Sequence, residues 1–302
     1  MTAVTTARRP GTGPARAPVE QAAGGRALTA YLSEQRDAVR ATEGGVRYGD
    51  AEAVHDMRVA TRRLRSALRS FRADLRPWQP LRDELKWLAA ALGDVRDGDV
   101  MGERLATAVA AQPPELVVGP VAARLAQRAA RETARGRERL IAALDSPRYA
   151  ALLRSLDELV GSGPTRRVGK GRLRRAARKG LRRADGRLDG ASTDAARHEA
   201  RKAYKRARYA VEVLRPVAGK PATRLRKRLT ALQDVLGAHQ DAVITAARLR
   251  EHGMRAYADG ENAFTYGLLL GRQQWAAAVA RAELPRASRR ARTAKVRDWL
   301  NG

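Results

Sequence analysis

Between Val54 and Phe71 the chain reads VHDMRVATRRLRSALRSF, which puts a histidine and a row of arginines on one short segment with an apolar face. At about 100° of rotation per residue, His55, Arg58, Arg62, Arg65 and Arg69 fall within roughly 80° of one another on a helix. Val54, Met57, Thr61, Leu64, Leu68 and Phe71 occupy the neighbouring face, so one side can be buried while the other presents charge. Like charges at i, i+3 and i+4 repel by roughly a few tenths of a kcal/mol per pair in an isolated helix. A merely solvated face ordinarily mixes lysine with glutamate. The stripe contains no acid, which points to an external anion that cancels the repulsion. Arg58 to Arg69 spans about 16 Å at about 1.5 Å per residue, enough to follow several phosphate units. Guanidinium groups suit that task because their planar fork matches phosphate oxygens in pairs.

The whole chain agrees with the stripe. Its 302 residues carry 60 lysines and arginines against 32 acids, a formal net charge of +28. Such a field draws in polyanions from a distance. There is no cysteine, so disulfides, thiolate-bound zinc and a thiol nucleophile are excluded, and a cytoplasmic location is expected. Residues 1–24 are rich in alanine, proline, glycine and threonine and lack the apolar core of a secretory signal. They read as a disordered tail. The longest apolar run, Tyr266 to Val279, is interrupted by Gly271, Arg272, Gln273 and Gln274, so no membrane partner is expected.

Alanine, leucine and arginine dominate and strand-like alternation is nearly absent, which predicts an all-α fold. Helices are expected over about Arg26–Thr42, ended by Gly44-Gly45, and over Asp50–Leu75, capped by Asp50 and stopped by Pro77. A third, Gln79–Leu92, should terminate at Gly93, and a short fourth helix should follow GDVRDGDV and end before Pro113. Glu115–Leu144 and Pro147–Val160 complete a first half, residues 25–160. GSGPTRRVGKG, residues 161–171, reads as a linker, and a second half follows over 172–302.

That second half repeats the first. His198, Arg201, Lys205 and Arg208 superpose on His55, Arg58, Arg62 and Arg65, but Glu212 stands where Arg69 does. Leu225, Leu229, Leu232, Leu236 and Gly237 superpose on Leu81, Leu85, Leu88, Leu92 and Gly93, with Asp241 on Asp97. An internal duplication is therefore expected. The segment equivalent to the first helix, Arg172–Leu188, is far more basic and offers Arg174, Arg175, Arg178, Lys179 and Arg182 as secondary anion ligands. An apolar helix over about Ala263–Ala282 and a short VRDWL helix close the chain.

His55 and His198 share the arginine faces, so each is either a phosphate donor or a packing residue that orients a neighbour. His239 reads as structural, and His252 has no repeat partner and no assigned role. Asp94, Asp97 and Asp99 invite a metal reading, but only Asp97 recurs, as Asp241. The simpler reading makes both structural acids that cap a helix or hold a stripe arginine. No metal site or cofactor is expected, and no Walker loop, HExxH pair or recurring acid pair supplies catalytic machinery.

With HDMRVATRRLRSALR, LGDVRDGDV, HEARKAYKRARYAVE and LQDVLGAHQDAV in order, residues 25–302 resemble the CHAD family, the conserved histidine α-helical domain. The resemblance implies two pseudo-symmetric helical bundles around a basic central groove or pore, binding of inorganic polyphosphate, recruitment to polyphosphate granules, and no catalytic activity of the domain itself. A stand-alone member is expected. Carried over by position, the ligands would be His55, Arg58, Arg62, Arg63, Arg65 and Arg69 from the first half, with His198, Arg201, Lys202, Lys205, Arg206 and Arg208 from the second. Glu212 would pair with an arginine and soften that end. Nucleic acid is the rival polyanion, although 4% aromatic residues leave few platforms for base stacking. A triphosphate-processing enzyme or its accessory protein is a weaker rival, because a tunnel of alternating glutamates is missing.

Overall fold

Segments built from alanine, leucine and arginine lose little on entering a helix, and the described residues are helical almost throughout, with three short 3-10 turns beside the α-helices. The computed structural model describes residues 16–302, and among them it contains eleven α-helices and no strand. The first half comprises α1 (Arg16–Tyr48), α2 (Ala51–Ser70), α3 (Leu81–Ala110), α4 (Val121–Leu144) and α5 (Pro147–Ser162). The second comprises α6 (Lys170–Asp189), α7 (Asp194–Val213), α8 (Arg215–Ala218), α9 (Lys220–Ala258), α10 (Phe264–Arg292) and α11 (Ala294–Arg297).

Packing runs in the same order in both halves: α1 on α2, α2 on α3 and α3 on α4, then α6 on α7, α7 on α9 and α9 on α10. The halves meet where α2 packs on α7 and α1 on α6. They are not separately cored. Leu28, Leu64, Leu85 and Leu156 belong to the same buried cluster as Leu173, Tyr204 and Leu229. Each fully buried leucine contributes roughly 1.5–3 kcal/mol, and this shared interior is what presses α2 against α7. A smaller cluster, including Leu105, Leu125, Leu249 and Tyr266, joins the far ends of α3, α4, α9 and α10.

The two central helices start as their sequences specify. The Asp50 carboxylate accepts the Glu52 backbone N–H at 2.9 Å, and the Thr193 hydroxyl accepts that of Ala196 at 3.2 Å, each satisfying a donor that the helix start would leave orphaned. Val54, Met57, Leu64 and Leu68 on α2, and Ala200, Tyr204, Ala207 and Val211 on α7, are buried as their spacing requires.

Glycine and proline depart from expectation. Gly44-Gly45 does not end α1, which runs on to Tyr48, and Gly93 does not end α3, which continues through GDVRDGDV to Ala110 without a separate fourth helix. Gly45 serves close approach instead of capping: a Cβ there would lie 2.6 Å from that of Ala53. Pro285 lies inside α10, while α2 stops at Ser70, before Pro77 can act. α4 begins at Val121 instead of Glu115, after Gly119 turns the chain at φ +82°. Residues 1–15 of the expected disordered tail lie outside the described residues, and from Arg16 the chain is already helical.

The connection between the halves is shorter than residues 161–171 and is held in place. Thr165 N–H donates to Asp74 O at 2.9 Å, Gly25 N–H donates to Val168 O at 2.9 Å, and Val168 is fully buried. Arg172 forms an ion pair with the buried Asp74.

The two adjacent glycines of α1 give opposite expectations. Gly44 faces open space, so Gly44→Ala stabilises by about 0.5–1 kcal/mol through helix propensity. Gly45→Ala forces a clash with a short, inflexible side chain and destabilises by roughly 1–3 kcal/mol. Urea unfolding of the two variants checks the sign.

Candidate anion-binding cleft

Charge is assembled where α2 crosses α7. The Ser66 hydroxyl donates to the Arg206 carbonyl at 3.5 Å, so the helices approach closely enough for their basic faces to share one cleft. On one side of the crossing, Lys205 of α7 is only partly exposed and faces Arg62, Arg201, Arg208 and Arg58. Burial first, and then these four guanidinium groups, push its ammonium down to about 7. Arg58 is lowered by burial, against the opposing pull of Asp97. The crowding of like charge expected along α2 thus extends between helices as well.

Two glycines make the floor. Arg58 lies over Gly93 of α3, its Nη2 3.8 Å from where a Cβ would stand, and Arg201 lies over Gly237 of α9 at 3.6 Å. A larger side chain there would lift the guanidinium out of the cleft. Asp97 holds Arg58 at 2.9 Å, as a structural acid should. Asp241 does not hold Arg201. It pairs with Arg104 of α3 at 2.9 Å, because α3 extends past Gly93 and brings that arginine alongside α9.

Glu212 neutralises one edge. Buried itself, it takes Arg208 at 2.9 Å and Arg63 at 3.4 Å and accepts the Tyr31 hydroxyl at 3.5 Å. Tyr209, also buried, separates the arginines: its hydroxyl accepts Arg62 Nε at 3.3 Å, while its ring lies 4.9 Å from the Arg208 guanidinium and 5.9 Å from that of Arg63. Such faces attract cations and reduce the cost of crowding them.

The other side of the crossing opens into a cavity of about 1250 Å³ between the end of α2, α6 and α7. Ten cationic side chains line it, among them Arg69, Arg175, Lys179, Arg183, Arg187 and Arg206, against one acid, Asp74, which is already spent on Arg172. Burial, then Arg69 and Arg187, push Arg206 down to about 10.

Comparison with known proteins fits this architecture. The CHAD domain profile matches residues 30–250. The chain belongs to the CHAD-domain family. An uncharacterized protein of Mycobacterium tuberculosis, in strains CDC 1551 / Oshkosh and H37Rv, is 35% identical over 274 residues, covering 86% of this chain and 52% of the relative. The chain therefore spans about half the length of the curated relatives it matches. Among solved structures, the CHAD domain of the plant Ricinus communis superposes with a TM-score of 0.64 at 26% identity, covering 92% of this chain and 91% of that one. PptA from Streptomyces chartreusis gives a TM-score of 0.74 at 22% identity, covering 88% and 99%, a likeness of fold.

Within this CHAD domain the sequence-derived ligands divide into groups. Arg58, Arg62, Arg201, Lys205 and Arg208 converge on the cleft, whereas Arg69 and Arg206 face the cavity with Arg175 and Lys179. Arg63 is turned to Glu212, Arg65 faces Arg82 of α3, and Lys202 is exposed and paired with Glu199. Arg174 and Arg178 reach the chain end, donating to the Gly302 carbonyl at 2.5 Å and the Asn301 side chain at 3.1 Å, and Arg182 is not among the lining residues of the cavity. Sequence reading missed Arg72, Arg76 and Arg166, which line the cavity from loops and turns, and Arg187, which continues the i, i+4 row of Arg175, Lys179 and Arg183 on α6.

The histidines separate too. His239 is buried and its Nε2 lies 3.2 Å from Asp194 in the first turn of α7, the structural role expected of it. His198 has its Nδ1 shut off from solvent with no partner. Burial and then Lys202 lower its pKa, against a hydrogen bond with Gln240. His55 is half-buried and makes no hydrogen bond or ion pair among the described residues.

Lys205 has a signature in stability. Its folded value near 7 lies below the ordinary lysine range, so between pH 7 and about 10 the unfolded chain binds more protons and this group's penalty shrinks as pH rises. Lys205→Met should therefore be more stable than the parent at pH 7, with the gap closing toward pH 10. Thermal or urea unfolding across that range measures it.

Proposed function

We propose that this CHAD domain binds inorganic polyphosphate along the α2–α7 cleft, and through it associates with polyphosphate granules. The observation that carries this reading is the placement of Lys205 among four arginines, a cluster whose repulsion Asp97 and Glu212 offset only in part and an anion would relieve further. A linear chain of phosphates supplies one negative charge after another at a spacing that a row of guanidinium groups can follow in pairs. The glycine floors and the Asp97 contact fix Arg58 and Arg201 before a ligand arrives, so less conformational freedom is lost on binding. The cavity beside α6 offers a continuation on the other side of the crossing. The action is binding without turnover: polyphosphate incubated with the protein should keep its length.

Competition between long-chain polyphosphate and single- or double-stranded nucleic acid, at several salt concentrations, tests the reading. Polyphosphate should win at physiological salt, and its affinity should fall as salt rises, since each neutralised phosphate releases counterions. Preference for nucleic acid would overturn it. Binding should also take up protons above pH 7, because the polyanion favours charged Lys205, and affinity should weaken as pH climbs from 7 to 9. Arg58→Glu with Arg62→Glu should cost at least tenfold in affinity with helicity unchanged. An unaltered affinity in that folded variant would move the site to the cavity beside α6.

A further inference from the structure

A second basic recess lies where α4 meets the far part of α9 and the start of α10, with a volume of about 310 Å³. His252 borders it and is 15 residues beyond Gly237 on α9, about 22 Å along the axis at about 1.5 Å per residue. The recess is therefore separate from the α2–α7 cleft. Five arginines line it against three acids, Glu132, Asp259 and Glu261. Two of the arginines are already occupied, Arg124 by Glu261 and Arg255 by Glu251 at 2.5 Å. Arg128, Arg131 and Arg135 have no ion-pair partner among the described residues, and their i, i+3, i+7 spacing puts them on one face of α4.

His252 gives this cluster a built centre. Its side chain is 7% exposed, and Nδ1 is closed to solvent with no hydrogen-bond partner, a state that calls for explanation in a folded protein. The groups facing it are Arg128 and Glu132 from α4, Arg248 and Glu251 from α9, and Tyr266 from α10. Burial, then Arg128, hold the imidazole toward its neutral form. An oxyanion between Arg128 and His252 would cancel the guanidinium charge and favour a proton on the ring in opposition to its burial. Leu125, Ala256 and Tyr266 add an apolar wall, and the volume lies at the small end of ligand pockets, too small for a polymer.

We propose that this recess is a second binding site, for a small anion with one or two phosphate groups, held by Arg128, Arg131 and His252 independently of the cleft. The tetrahedral, multiply charged head of such an anion matches several guanidinium forks better than one carboxylate does.

The chain has 4 histidines, so imidazole NMR of the full-length protein can follow His252 directly, with His252→Asn to assign its signal and pyrophosphate as the probe. Submillimolar pyrophosphate should shift the His252 resonances saturably and raise the pH at which they titrate. Arg128→Gln with Arg131→Gln should weaken that response at least tenfold and leave polyphosphate affinity unchanged. Lys205→Met with Arg201→Met should weaken polyphosphate binding and leave the His252 response intact, so failure of the cleft and failure of the recess are told apart. A His252 signal unmoved by millimolar pyrophosphate overturns the proposal, as does a response that survives the α4 variant and vanishes in the cleft variant.

Discussion

Mutual repulsion of cations held at a partly buried helix crossing is the constraint around which this fold is arranged. Left alone, α2 and α7 would separate. Met57, Leu64 and Leu68 on one helix, with Tyr204 and Val211 on the other, are buried in one continuous interior, and their burial offsets the electrostatic cost. Acids appear only where they steer: Asp97 sets Arg58, and Glu212 silences Arg63 and Arg208. Lysine at 205 is a consequential choice, because an arginine there would stay charged whatever its surroundings, whereas an ammonium can lose its proton when the cleft is empty.

The crossing also divides the basic surface. Arg58, Arg62, Arg201 and Lys205 lie to one side, in a cleft floored by two glycines. Arg69 and Arg206 lie to the other, in a wide cavity completed by α6. Equal packing order in the two halves does not give equal halves, since the residue opposite Arg69 is an acid and the first helix of the second half is far more basic than its counterpart. The two sides of the crossing therefore differ in charge density.

The all-α class and the apolar faces of α2 and α7 were legible in the sequence because both follow from spacing along one element, whereas Asp97, which meets Arg58 from α3, was read only as a cap or as the partner of some stripe arginine. Gly93 was read as a terminator, since a glycine after a leucine run looks alike whether it ends a helix or makes room for a neighbour. Only the opposite surface decides, and that surface is remote in sequence. The same limit hid Arg72, Arg76, Arg166 and Arg187, which gather from separate segments, and it left Asp241 as a cap or the partner of a stripe arginine when the extended α3 delivers Arg104 to it. Periodicity tells which way a side chain points, not what awaits it.

The connection at residues 163–169 carries a topological consequence. Chains whose halves are joined by one connection can exchange them, one copy lending its half to another through a slack hinge. Here the hinge is itself part of the wall: Val168 is sealed inside, Thr165 is bonded to the end of α2's loop, and Gly25 of α1 is bonded back to Val168. Opening it would break contacts in both halves at once, so any exchange of halves between copies would carry the loss of this buried joint with it.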